Sequence, residues 1–431
     1  MFTALEALDL TGCVSVSFRD GMRRFYDDWL SDEASEDIDD EGGRGRTRHR
    51  LADEGEHDQA WRRPVRKPRF TILRRLSLRA CTTLDAPLLH SFILCFPNLT
   101  HLDLSGTAVQ SSLLRALTES CPRSLRLSSL SLARCPRLDA HVIVDFLIHC
   151  PASYTLIELN LFVNTTSSMA LSSDDLDRLI ASSPCIKSGK LRYLDISGSA
   201  LLPSHLGIGI FPSQPSLRSL GLSHIPSLPL APITEFILNL APNTEILTLT
   251  GTATQSSLNP TSSSRKLLLE IHARLINPLT TVPFSLSSLD LGASTKGSDD
   301  LRPGPTRLRV IELSSPVRRA IAEGSNGEWR VIKSKGGRGW YVDVSAGWIA
   351  SGSGSACSPG PGPGQGGGHT FVRHLPKNHA WREWLQSLAN ANGRVGSNVG
   401  WHSRKMEVIR GFGMMGREEG MAGVGAFAFE E

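Results

Sequence analysis

A nine-residue pattern, L-x-x-L-x-L-x-x-(C/N/T/S), recurs along this chain and restricts its fold more than any other feature. It runs through Leu73, Leu76, Leu78 and Cys81, and starts again at Leu99, Leu127, Leu156, Leu191 and Leu217. Looser copies begin at Thr244, Leu286 and Leu308, and the opening residues Leu5, Leu8, Leu10 and Cys13 also fit. From 73 to 244 the copies are spaced by 26, 28, 29, 35, 26 and 27 residues, the period of a stacked supersecondary unit. The x-L-x-L-x centre predicts a short strand with both leucines on one face and its neighbours on the other. The ninth residue falls where the chain turns away. There it can hydrogen-bond the backbone of the neighbouring turn or, as cysteine, fill a tight space.

Apolar residues after each turn follow helical spacing, as in Leu88, Leu89, Phe92 and Ile93 or Val142, Ile143, Phe146 and Leu147. Proline marks the helix ends at Phe96-Pro97, Cys121-Pro122, Cys150-Pro151, Ser183-Pro184 and Ala241-Pro242. One copy cannot bury its own edges, so the copies are expected to stack into an α/β solenoid with a parallel concave sheet and outer helices.

The pattern divides the chain into a first repeat and helix (1–30), a charged insertion (31–69), the repeat array (70–316) and a C-terminal part (317–431). The insertion passes from an acidic run, Asp32 to Glu41, into arginines at 44, 46, 48 and 50. It is too polar to pack and is expected to be disordered. Six of the eight tryptophans lie beyond residue 325. Alternation in Glu328–Lys333 and Gly339–Val344 predicts a hairpin, a Gly/Pro-rich loop occupies 351–368, and Trp381, Trp384, Leu385 and Leu388 share one helix face. This hairpin-plus-helix part is expected to cap the open end of the array.

With its alternating Cys and Pro, the array resembles the cysteine-containing, ribonuclease-inhibitor-like leucine-rich repeats, over roughly residues 70–316 and the first thirteen. That class is familiar from the substrate-receiving arms of F-box proteins. No F-box-like helical module stands ahead of the repeats, so a ubiquitin-ligase role would need a docking module from an upstream exon or from a partner. The tail looks like that of uncharacterised leucine-rich-repeat proteins of filamentous fungi, a resemblance that implies no activity.

Lys plus Arg total 46 against 42 Asp plus Glu, a net charge of +4, which argues against a general nucleic-acid binder. No stretch approaches the roughly 18 apolar residues of a membrane helix, and the start does not read as a secretory signal. The expected location is the cytoplasm, the nucleus or both. None of the eight cysteines forms a CxxC pair, and no phosphate-binding, nucleotide-binding, serine-hydrolase or metalloprotease motif occurs. Cys357, His369, His374 and His379 are better explained by a solvated loop than by zinc. The chain is therefore expected to be no enzyme and to hold no cofactor or metal. An uncharacterised enzyme remains an alternative, and it would join His402 and Arg404 to the hairpin in one pocket.

The expected function is a protein-interaction scaffold or adaptor. On its concave face the third, fifth and seventh positions of each copy point outward, giving a mostly small, polar surface that is acidic along the middle, with Arg75 and Arg79 as basic exceptions. Asp103, Glu158, Phe162, Tyr193 and Asp195 are the candidate contacts, for a protein or peptide partner of basic character. Phe162 and Tyr193 stand four strand positions out of register, about 13 Å apart along the strand. The competing explanation is that Asp merely suits a strand end. Arg62, Arg63, Arg66, Lys67 and Arg69 form a compact basic run, either a nuclear-import signal or a solvated linker.

Overall fold

The computed structural model describes residues 5–30, 72–163, 170–252, 264–281, 305–322, 329–333, 339–343, 349–351 and 371–373. Strands and helices alternate along it. The strands are β1 (Ala7–Asp9), β2 (Arg75–Ser77), β3 (His101–Asp103), β4 (Ser129–Ser131), β5 (Glu158–Asn160), β6 (Tyr193–Asp195), β7 (Ser219–Gly221), β8 (Ile246–Thr248) and β9 (Val310–Glu312). All nine are parallel and in sequence order. The fourth-position residues form one line across the sheet: Leu8, Leu76, Leu102, Leu130, Leu159, Leu194, Leu220, Leu247 and Ile311. Each faces the core, because a one-residue slip would turn a whole strand's leucines to the other side.

Outer helices follow most strands: α1 (Val16–Trp29), α2 (Ala86–Leu94), α3 (Ser111–Glu119), α4 (Ala140–His149), α5 (Ser173–Ser182), the short α6 (Pro184–Lys187) and α7 (Leu230–Leu240). Their starts are written locally. Asp85 accepts from the Leu88 N–H at 3.0 Å, and Ser172 and Asp175 cap α5 reciprocally. Their ends follow the prolines. Cys150 and Ser183, each preceding one, have left the helix at ψ 119 and 122. Phe92, Phe146 and Phe236 are buried between the helices and the strand leucines.

One expectation needs correction. No α-helix lies between β6 and β7, where only a 3-10 turn, Pro203–Leu206, forms. Pro203, Gly207, Pro212 and the left-handed Gly209 at φ +85° cannot sustain a helix there. β8 pairs directly with β9, and the copy starting at Leu286 lies outside the described residues.

Beyond β8 a helix runs through α8 (Ser264–Ile271), a π-helical turn (His272–Ile276) and α9 (Asn277–Thr280). Pro278 has no N–H for the Arg274 carbonyl, which accepts from Thr234 Oγ1 at 2.7 Å instead. After α10 (Ser315–Ala322), strands β10 (Trp329–Lys333) and β11 (Gly339–Asp343) form the expected hairpin. It extends the sheet antiparallel, with β11 beside β9. β12 (Ile349–Ser351) and β13 (Phe371–Arg373) form a separate antiparallel pair. No described helix is long and apolar enough to cross a membrane.

Candidate functional site

The turn leaving each strand is built by three residues of the motif. At the fifth position Asp9, Asp103, Asn160 and Asp195 each accept the backbone N–H two residues on, from Thr11, Ser105, Phe162 and Ser197, at 2.9–3.1 Å. This is the Asx turn, which closes the chain end with the side chain's own oxygen. The eighth residue is left-handed in the copies holding Gly12, Ala80, Gly106, Arg134, Gly198, His224 and Gly251. At the ninth position, Cys81 and Cys135 donate to the carbonyls of Leu10 and Leu104 in the preceding copy, each at 3.0 Å, and Thr252 donates likewise to Leu222. Neighbouring copies are thus tied by side chains as well as by strand pairing.

The same turns and strands hold four of the five candidate contacts below the surface. Asp103 and Glu158 are 0% exposed, Tyr193 5% and Asp195 9%. Asp103 also accepts from Ser105 Oγ at 2.6 Å, Glu158 from Ser129 Oγ at 2.5 Å, and Asp195 from the Tyr193 hydroxyl at 3.1 Å. Tyr193 stands opposite Glu158 in the β5–β6 pair. Phe162 is the half-buried member of the five and lies apart from the others. Its ring carries the Arg134 guanidinium 4.7 Å from its centroid and meets the His224 ring edge-on at 5.8 Å. Arg134 is exposed and His224 half-buried.

Arg134 and His224 lie outside the outward-facing third, fifth and seventh positions. Their signal was present in the sequence: both occupy the eighth position, where four other copies carry glycine. The basic run Arg62, Arg63, Arg66, Lys67 and Arg69 lies outside the described residues, as do His402, Arg404, Cys357 and the nearby histidines.

Other chemistry-bearing groups have structural partners. Ser173, His205 and Asp177 come together, with His205 Nε2 3.4 Å from Ser173 Oγ and 3.3 Å from Asp177 Oδ1. They cannot act as a nucleophilic triad. His205 Nδ1 accepts from the Leu202 N–H at 3.0 Å, so the neutral ring's proton sits on Nε2, where a base would need its lone pair. Burial pushes the thiols of Cys81 and Cys185 up to about 11 and those of Cys135 and Cys150 up to about 12, so at neutral pH they are protonated and poorly nucleophilic. His272, on the π-helical turn, bonds the buried Tyr341 hydroxyl at 2.8 Å, and burial lowers the histidine and raises the tyrosine to about 12. Among the described residues no three His, Cys, Asp or Glu side chains are grouped to hold a metal ion. No protein-family model matches the chain, and no curated protein is significantly similar to it.

Proposed function

We propose that this chain is a non-catalytic scaffold of the leucine-rich-repeat type, binding a protein or peptide partner on the side of the sheet opposite the helices. The observation that carries this is the parallel nine-strand platform, which repeats the same polar positions along one face and offers Phe162 at the strand ends. The cysteine-containing, ribonuclease-inhibitor-like assignment is supported by the Cys81 and Cys135 links to the preceding copy. The role of the hairpin as a cap is supported by Trp329 and Tyr341, buried where the sheet would otherwise end.

Affinity capture with three variants tests the proposal. Phe162→Ser removes the accessible aromatic, and Arg178→Ser changes the exposed outer face of α5, where Arg178 pairs with Asp145 at 2.6 Å. Asp103→Asn/Asp195→Asn strips two charges but keeps an amide oxygen for each turn, as Asn160 does natively. Partners held by the wild type should fall at least about tenfold with Phe162→Ser and persist with Arg178→Ser; identical partner sets from both would contradict a docking role for this face. The double Asn variant separates the two explanations of the carboxylates. A basic partner would be lost, and carboxylates that serve only the turns would leave capture unchanged.

A further inference from the structure

Two thiols come together where the outer helices of neighbouring copies end. Cys121 follows α3 and Cys150 follows α4, and each precedes a proline. The Cys150 thiol donates to the Leu117 carbonyl at 3.3 Å. A continued α3 would give that carbonyl to the N–H of Cys121, four residues on, but the helix stops first, with the Ser120 N–H closing on Ala116. At this stop the Cys121 and Cys150 side chains interact. Cys95, the matching residue one copy earlier, donates instead to Ser91 of its own helix at 3.2 Å.

The two thiols differ in access. Cys121 is half-buried, whereas Cys150 is 0% exposed. Packing accounts for a buried cysteine by itself. A thiol that solvent reaches, set against a buried one, is the arrangement in which a first oxidation finds a resolving partner at hand.

We propose that Cys121 and Cys150 are a redox-modification site, closed to an intramolecular disulfide by a peroxide and reopened by a dithiol. The Cys121 thiolate attacks one peroxide oxygen and the O–O bond breaks. The departing hydroxide takes up a proton and leaves as water, and Cys121 becomes a sulfenic acid. The Cys150 sulfur then attacks the Cys121 sulfur. The S–S bond forms, the S–O bond breaks, and the second hydroxide carries off the Cys150 proton as water. Each sulfur gives up one electron, and the peroxide is reduced to two waters. A dithiol reverses the bond by exchange and is itself oxidised to a disulfide.

Burial pushes the Cys150 thiol up to about 12, with the charge of Cys121 adding to the rise, so Cys121 is the thiol that begins. Once it is a neutral sulfenic acid, its charge no longer opposes ionisation of Cys150. The bridge would close Pro122 to His149, β4 included, into a covalent loop across two copies. It is a property separate from the docking function proposed above.

Peptide mapping without reduction tests this on full-length protein treated with hydrogen peroxide and then blocked at its remaining thiols. The monomer should yield the Cys121 and Cys150 peptides joined, two hydrogens lighter than the reduced pair, and Cys121→Ser should abolish that product. Cys150→Ala should leave Cys121 as a sulfenic acid that dimedone traps. The oxidised monomer should melt higher than the reduced one, because the bridge restricts the unfolded chain. The proposal is overturned if Cys121 is recovered joined to Cys95 or to a second molecule, or as a sulfinic acid beside a free Cys150. An oxidised monomer that melts no higher would overturn it too, since the reduced fold would not then hold the pair ready to join. None of these outcomes bears on capture through Phe162, which tests the scaffold function by itself.

Discussion

Gly198→Ala is expected to destabilise the protein by about 3 kcal/mol or more, and Gly12→Ala by only about 1 kcal/mol. The two glycines hold the same eighth position of the motif, at φ +79° and +76°. Their surroundings differ. A Cβ at Gly12 would meet nothing within 4 Å, whereas one at Gly198 would lie 2.2 Å from the Val163 carbonyl oxygen and 2.9 Å from its carbon. Those are backbone atoms of the preceding turn, and Val163 is itself fixed by its N–H to Ser197 O at 3.0 Å. Ala80 natively occupies this position at φ 58°, so the conformation alone is tolerable to alanine. Denaturant titration of the two variants therefore isolates the contact between stacked turns. Equal losses would mean that the turns are not packed as described.

A second large effect is expected where the array meets the hairpin. Glu245 pairs with Arg218 and lies 3.9 Å from Arg307, and its carbonyl accepts the Arg309 N–H at 3.0 Å. Arg309 is 7% exposed. Burial pushes its guanidinium down, Glu245 and Asp343 of the hairpin oppose that shift, and Arg307 and Arg218 add to it. Glu245→Gln keeps the size and removes the counter-charge from three arginines, one of them deeply buried. The expected loss is about 3–5 kcal/mol, the usual consequence of breaking a buried pair on one side. Asp145→Asn, which breaks the half-exposed pair with Arg178, should cost less than about 1 kcal/mol. Similar losses from both in chemical denaturation would show that the Glu245 cluster is solvated and contributes little.

The rungs of this fold were legible because they depend on a short-range rule. Alternating leucines such as Leu102 and Leu104 must face inward together, and the turn residue nine positions into the motif must satisfy a nearby backbone group. The motif could not say which matches stack. The copy at Leu286 fits the pattern as well as that at Leu308, yet β8 and β9 pair with each other, and only pairing in space decides this. The candidate site was legible in part for a similar reason. Alternation puts Asp103 and Asp195 on the outward side of the strand, but it is blind to the amide two residues on that each carboxylate also accepts from. Phe162 stood out by size. Its partners Arg134 and His224 lie one copy before it and two copies after it, a relation that exists only once the copies are stacked.

The central claim is that successive copies of the motif lie side by side, in order and in register. Methyl–methyl nuclear Overhauser contacts in a deuterated, leucine-methyl-labelled sample address it most directly. Neighbouring rungs are about 4.8 Å apart and second neighbours about twice that. Strong cross-peaks should therefore link Leu76 to Leu102, Leu102 to Leu130, Leu130 to Leu159 and Leu159 to Leu194, fading sharply for pairs that skip a rung. Strong contacts between Leu76 and Leu159, or none between Leu102 and Leu130, would contradict the stacked platform and the docking face built on it.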